Sequence, residues 1–263
     1  MVDLFPGEFF INGISAFKEF KTIIQERPDI MAPKRKMNAV SPYAFNGAVY
    51  QDEHAYENTE LTLNLAILAH EEERAQYRRK LFYALSTGGY VDMEFYFDPG
   101  VIYRCALVEN YAYTNKYFYD GLQTTEIKLS VAPYKTKKSN NITLFSARVR
   151  QYNQIDAPGK LFTSFPTFKL KGEGEVKIIA RYGDKQQEYH LVNLSSGTPV
   201  VIDNDMKFVY GLDYEGPHTT AVETNANLKM KTREFMQIPE SYTIETVGTV
   251  HDLILTPNWR ILV

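Results

Sequence analysis

From Tyr90 onward the chain is a succession of short apolar-rich runs, each ended by a cluster of Gly, Asp, Asn or Pro. This rhythm constrains the fold more than any other feature, because runs of that length bounded by turn residues are strands. Tyr90 to Phe97 reads as a strand, Asp98-Pro99-Gly100 as the turn after it, and Val101 to Glu109 as the return strand. Tyr111 to Tyr119 and Thr124 to Val131 flank a further turn at Asp120-Gly121. Later strands are expected at Phe165 to Leu170, Val176 to Tyr182, Gln187 to Leu194, Val200 to Ile202, Met206 to Tyr210, Tyr242 to Val247 and His251 to Leu255. The turns between them fall at Gly172-Glu173-Gly174, Gly183-Asp184, Ser195-Ser196-Gly197, Asp203-Asn204-Asp205 and Gly248. Such spacing belongs to a sandwich or jelly roll.

The first ninety residues are more varied. Phe9-Phe10-Ile11 runs into Asn12-Gly13, a pair that tolerates positive φ and turns a hairpin. Met31 to Gly47 holds Pro33, Pro42, Asn46 and Gly47 beside the basic triplet Lys34-Arg35-Lys36, and reads as a long exposed loop. Leu61, Leu63, Leu65 and Ile67 alternate with Thr62, Asn64 and Ala66, the period of a half-buried strand. One helix follows, opened by Glu71-Glu72-Glu73 and stopped by Gly88-Gly89, with Tyr77, Leu81 and Leu85 on one stripe and Phe82 beside it. Its glutamates and the later Arg78-Arg79-Lys80 complement the macrodipole and are expected to pair at i,i+4. The polar stretch Pro133 to Asn141 is the best domain boundary, giving domains 1–134 and 135–263, with the last strand free to pack on either.

The totals exclude several classes. Lys and Arg number 29 against 32 Asp and Glu, for a net charge of −3, so the basic excess of a phosphate-binding protein is missing. No apolar run approaches the roughly 20 residues of a spanning helix, and no signal peptide is visible, so a soluble chain made in a cytoplasm is expected. The one cysteine, Cys105, lies in an apolar run and is expected to be a buried small hydrophobe.

Each hint of chemistry has a plainer reading. His70-Glu71-Glu72-Glu73-Arg74 starts like a zinc-protease helix but lacks the second histidine. Asp203-Asn204-Asp205 lacks the glycine and distal glutamate of a calcium loop and reads as a turn. Gly172-Glu173-Gly174 has no strand–glycine–helix context, and its glutamates would repel a phosphate. No nucleophile elbow is present. Tyr111, Tyr113, Tyr117, Phe118 and Tyr119 form either a base-stacking platform or the packed face of a hairpin. No enzyme, no cofactor and no metal is expected.

The order of these features resembles the distal tail (Dit) protein family of phages that infect Gram-positive bacteria. The first part matches in its alternating strand, its charged helix, the strand pair around Asp98-Pro99-Gly100 and the close at Val131-Ala132-Pro133-Tyr134. The second part adds Ser164-Phe165-Pro166-Thr167-Phe168, then Val200-Val201-Ile202-Asp203, Phe235-Met236-Gln237-Ile238-Pro239, and the close Thr256-Pro257-Asn258-Trp259-Arg260. The chain departs from the family in lacking an Arg-Asp-Gly within Ser41 to Gly47, and Glu240 replaces a glycine.

The resemblance implies a mainly β chain with one helix: an N-terminal β-sandwich-like ring domain and a C-terminal galectin-like β-sandwich. It implies a structural hub of the phage tail tip, or baseplate, in which a homo-hexameric ring joins the tail tube to tail-tip and adhesion proteins. The partners are then a tail-tube protein, a tail-associated lysin-like protein and a receptor-binding protein, with no specific nucleic acid and no membrane. Assembly would take place in the host cytoplasm. Expected subunit contacts are Lys34, Arg35, Lys36, Tyr43 and Phe45 of the long loop, with Asp98 and Pro99 of the hairpin tip. The alternative is a carbohydrate-binding module in host cell-wall recognition, with Trp259 as the stacking ring or, on the plainer reading, a core residue.

Overall fold

The computed structural model describes residues 4–41, 43, 46–114, 122–138, 141–146, 153–197, 199–205, 207–212, 221–222 and 235–263. The chain is mainly β and forms two compact units, Met1–Thr136 with Leu262–Val263, and Lys137–Ile261.

The first unit opens with β1 (Phe9–Ile11), β2 (Ile14–Ser15), the helix α1 (Ala16–Phe20) and β3 (Thr22–Ile24). Asn12 and Gly13, both at positive φ, make the expected tight turn between β1 and β2. The short helix escaped sequence reading, since five residues are too few to print a helical period. Its cap is nonetheless regular, for Ser15 Oγ accepts the Lys18 N–H at 3.3 Å and also donates to Glu8 at 2.7 Å.

Then come β4 (Arg35–Val40), β5 (Val49–Tyr56), β6 (Thr59–Leu68) and α2 (Glu71–Leu85). The strands β7 (Val91–Phe95), β8 (Asp98–Leu107), β9 (Tyr113–Thr114), β10 (Leu122–Val131) and β11 (Tyr134–Lys137) complete it. In the main sheet β11, β8, β10, β6 and β3 lie side by side, and β7 joins β1 to the far edge of β8. The alternation in β6 has the expected consequence: Leu61, Leu63 and Leu65 are buried opposite Leu129, Ile127 and Thr125 of β10. Each fully buried leucine there is worth roughly 1.5–3 kcal/mol. Leu81 and Leu85 of α2 join this core, and Cys105 sits within it, fully buried.

Two expectations for this unit are corrected. Met31 to Gly47 is not all loop, because β4 pairs with β5 as a separate two-stranded hairpin, Val40 against Val49. The ladder buries neither face of β4, so no period of two was written into the sequence. Asp98-Pro99-Gly100 is not the turn either. The chain reverses at Tyr96-Phe97, Phe95 faces Asp98 across the pair, and Asp98-Pro99-Gly100 opens the return strand. Glu94 accepts the Gly100 N–H at 2.9 Å, which holds Gly100 at φ +79° inside the strand.

The second unit contains β12 (Ile142–Ser146), β13 (Asn153–Ile155), β14 (Thr163–Ser164), β15 (Thr167–Tyr182) and β16 (Lys185–Leu194). It continues with β17 (Val200–Asp203), β18 (Phe208–Leu212), β19 (Ala221–Val222), β20 (Tyr242–Thr256) and β21 (Trp259–Leu262). Its sheet runs β12-β20-β15-β17-β18-β19, with β13 on β20 and β16 on β15. Gly172-Glu173-Gly174 is no hairpin turn, and Gly248 separates no strands. β15 and β20 are single long strands, and the pairing register slips between Lys171 and Gly172 and again between Glu173 and Val176. Glycines at a bulge and glycines at a turn look alike in sequence, and only the partner strand tells them apart.

The motif residues of the second unit meet in space. Ser164 bridges Ile238, and its hydroxyl lies 3.0 Å from the Tyr242 hydroxyl and donates to the Pro257 carbonyl at 2.5 Å. Asn258 donates to the Phe165 carbonyl at 3.2 Å and to the Thr167 hydroxyl at 2.8 Å. Trp259 packs 5.8 Å from the Tyr242 ring and is 4% exposed, so it is a core residue.

Burial raises the phenol pKa of Tyr103, Tyr189 and Tyr242 above the ordinary 10.0. In Tyr103 the neighbouring Asp98 adds to the effect. The unfolded chain therefore loses these protons at lower pH than the folded one. Stability is expected to be intact below pH 10 and to fall as pH climbs above it. Circular dichroism should show unfolding in step with the appearance of tyrosinate absorbance.

Candidate functional site

The described residues contain no group of three or more His, Cys, Asp or Glu placed to hold a metal. Asp203-Asn204-Asp205 is committed to structure. Asp203 accepts the Asp205 N–H at 2.9 Å, Asp205 pairs with Arg260, and Asn204 is buried. Cys105 is fully buried, and burial pushes its thiol well above the usual range. A thiol reagent is expected to leave it untouched in the native protein and to label it once denaturant unfolds the first unit. Labelling at native rates would show that this core opens.

Among the described residues, exposed apolar side chains cluster on the first unit, and the first such feature is the β4–β5 hairpin. Met37, Val40, Val49 and Tyr50 are between 48% and 65% exposed, and Tyr43 at the tip is fully exposed. A two-stranded hairpin with no covered face is marginal alone. Polar bridges pin this one: Arg35 grips Asp52 with two nitrogens, and Asn38 donates to Glu53 at 2.7 Å. The His54 backbone N–H, aided by Arg35, holds the Asp52 carboxyl below its usual range. Lys34 pairs loosely with Glu57 at 3.7 Å, while Lys36 points to solvent.

Of the expected contact residues, Lys34, Arg35, Lys36 and Tyr43 thus share this hairpin, and Phe45 lies outside the described residues. Asp98 is elsewhere and is tied inward, accepting from Tyr103 at 2.7 Å and from Lys135 at 2.6 Å. Pro99 beside it is exposed. Sequence reading picked out Tyr43 but not Met37, Val40, Val49 and Tyr50, because the segment reads as loop.

The second feature is a groove of about 500 Å³ between α2 and residues 107–113. Phe82 and Tyr83, 48% and 73% exposed, form one wall, and Tyr111 and Tyr113 stand opposite. Phe82 is 6.4 Å from the Tyr111 ring, and Arg78 lies over Tyr113 at 5.5 Å. The helix period predicted Leu81 and Leu85 inside, and both are buried, whereas Phe82, expected beside their stripe, is half exposed. Tyr117, Phe118 and Tyr119, the rest of the expected aromatic run, lie outside the described residues. Exposed aromatics beside arginine are the composition of protein–protein contacts.

In the second unit, by contrast, the exposed large hydrophobics among the described residues are Ile142, Leu161 and Val247, with no aromatic. Among the described residues of this unit, then, no aromatic ring is more than partly exposed.

No family model matches the sequence, and comparison with curated proteins gives no match. Solved structures do match. The crystal structure of SPP1 Dit (gp 19.1), a paradigm of the hub adsorption apparatus in phages infecting Gram-positive bacteria, aligns with a TM-score of 0.60 at 12% identity. The alignment covers 97% of this chain and 98% of that one. A chain of the phage P2 baseplate in its activated conformation with Ca aligns with a TM-score of 0.56 at 11% identity, covering 92% and 91%. Over nearly its whole length, this chain has the fold of a phage Dit hub protein.

Proposed function

We propose that this protein is a structural, non-enzymatic hub of a phage tail tip. The observation that carries the reading is the near-complete mutual coverage with SPP1 Dit, which spans both units. On this reading the first unit closes into a homo-hexameric ring that continues the tail tube. The second unit is a galectin-like outer domain facing tail-tip and receptor-binding proteins, and the assembled protein belongs to the virion.

A closed ring needs two different patches on each subunit, one meeting the other on the next copy. The first unit offers two candidates, the uncovered hairpin and the aromatic groove. The hairpin residues Lys34, Arg35, Lys36 and Tyr43 and the exposed Pro99 are the proposed contact residues, now joined by Met37, Val49 and Tyr50. The sugar-binding alternative loses its expected stacking ring, since Trp259 is in the core.

Light scattering across a concentration series tests the reading. A mass six times that of the chain, rising from smaller species with concentration, is the expected result. A chain that stays monomeric to its solubility limit, or stops at a dimer, would overturn the ring.

A further inference from the structure

The i,i+4 pairs expected along α2 do not form, and the spacing already forbids them, since the residues four after Glu71, Glu72 and Glu73 are Ala75, Gln76 and Tyr77. Glu71, Glu72 and Glu73 are all exposed, and among the described residues no cation reaches them. Lys80 reaches across to Glu19 of α1 at 2.5 Å rather than along its own helix. Arg78 rests on the Tyr113 ring, and Arg79 is exposed, neither with a carboxylate partner among the described residues. Glu109, the acidic residue of the groove, is already matched by Lys128 at 3.5 Å. One helix therefore carries an unmatched acidic end and an unmatched basic groove.

The helix dipole explains only half of this. Carboxylates in the first turn are favoured by it, whereas cations help in the last turn, and the last turn of α2 has none. Arg78 and Arg79 sit in the middle of the helix, where the dipole gives no reason for them. Nor do the two ends cancel each other. Five to eight residues separate them, about 7–12 Å along the axis. That is roughly the screening length at physiological salt.

Resting on the ring reading, we infer that the groove receives the acidic first turn of α2 from the next copy of this chain. Glu71, Glu72 and Glu73 of one subunit meet Arg78 and Arg79 of its neighbour, and Leu68, 40% exposed beside the acidic turn, meets the Phe82–Tyr83 wall. The donor and acceptor groups are different residues of each subunit, so the contact is heterologous, as a cyclic ring requires. Tethered like charges repel and opposite charges select the partner, so the contact also fixes direction around the ring.

The test is a charge swap read by light scattering and sedimentation. One variant carries E71K/E72K/E73K and the other R78E/R79E. Each alone places like charges in contact and is expected to weaken assembly at least tenfold, while each still folds, since the residues changed are surface side chains. An equimolar mixture restores alternating contacts, so assembly should return to within a few-fold of the unaltered protein, a rescue that misfolding cannot produce. If either variant assembles normally alone, or the mixture fails to rescue, this contact is wrong while the ring stands. If the unaltered protein never assembles, the ring reading falls and this contact with it.

Discussion

Replacing Gly248 by alanine is expected to destabilise the second unit by about 3 kcal/mol or more, the combined cost of backbone strain and a clash with main chain. Gly248 sits at φ +109°, a conformation that L side chains rarely adopt. A Cβ there would lie 2.2 Å from the Glu175 carbonyl oxygen and 3.1 Å from the Val176 Cα. Neither atom can swing aside, because both belong to β15, which is paired to β20 on either side of the bulge. Gly174 supplies the control. It also has positive φ, at +71°, but a Cβ there meets nothing within 4 Å. Its alanine variant should lose only about 1–2 kcal/mol, the left-handed backbone cost alone. Trp259, the only tryptophan, is buried in this unit, so its fluorescence in urea reports the transition. Equal losses at the two positions would refute the close approach of the strands.

The second large effect is expected at Asn204. Its side chain is 1% exposed at the turn between β17 and β18 and connects three other segments. Its carbonyl oxygen accepts from the Tyr189 hydroxyl of β16 and from the Met236 N–H at 2.7 Å, and its amide donates to the Pro166 carbonyl. Asn204→Ala takes the donor from the buried Pro166 carbonyl and the acceptor from the Tyr189 hydroxyl, which keeps only the Met236 N–H at 2.6 Å, so at about 1–3 kcal/mol for each lost partner a loss of about 3 kcal/mol is expected. Tyr189→Phe removes only the phenol, and the Met236 N–H keeps its 2.7 Å bond to Asn204. That variant should cost about 1 kcal/mol. The same Trp259 transition measures both. A Tyr189→Phe loss as large as that of Asn204→Ala would mean that the phenol, not the amide, organises the cluster.

How far the sequence could be read depended on whether a segment has one buried face. Leu61, Leu63 and Leu65 alternate because β6 is covered on one side, so strand, face and partner type were all legible. The β4–β5 hairpin buries no face of β4, and its strands were hidden in a segment that looks like loop. The turns at Asn12-Gly13 and Gly183-Asp184 were legible because nothing but local backbone conformation is asked of them. Of the candidate contacts, the basic triplet and Tyr43 announced themselves by exposure, but the groove did not. Its walls come from α2 and from residues some thirty positions later, and neither wall shows a signal until both are placed.

By itself the sequence determined that this chain is built of antiparallel strands with one long helix, because alternation and turn residues are local and burial imprints them residue by residue. Only the tertiary structure decided that Gly172, Gly174 and Gly248 bend continuous strands rather than end them, since a bulge is defined by the partner strand. It alone decided that Lys80 of α2 pairs with Glu19 of α1, since that contact joins two helices and no spacing within either one announces it.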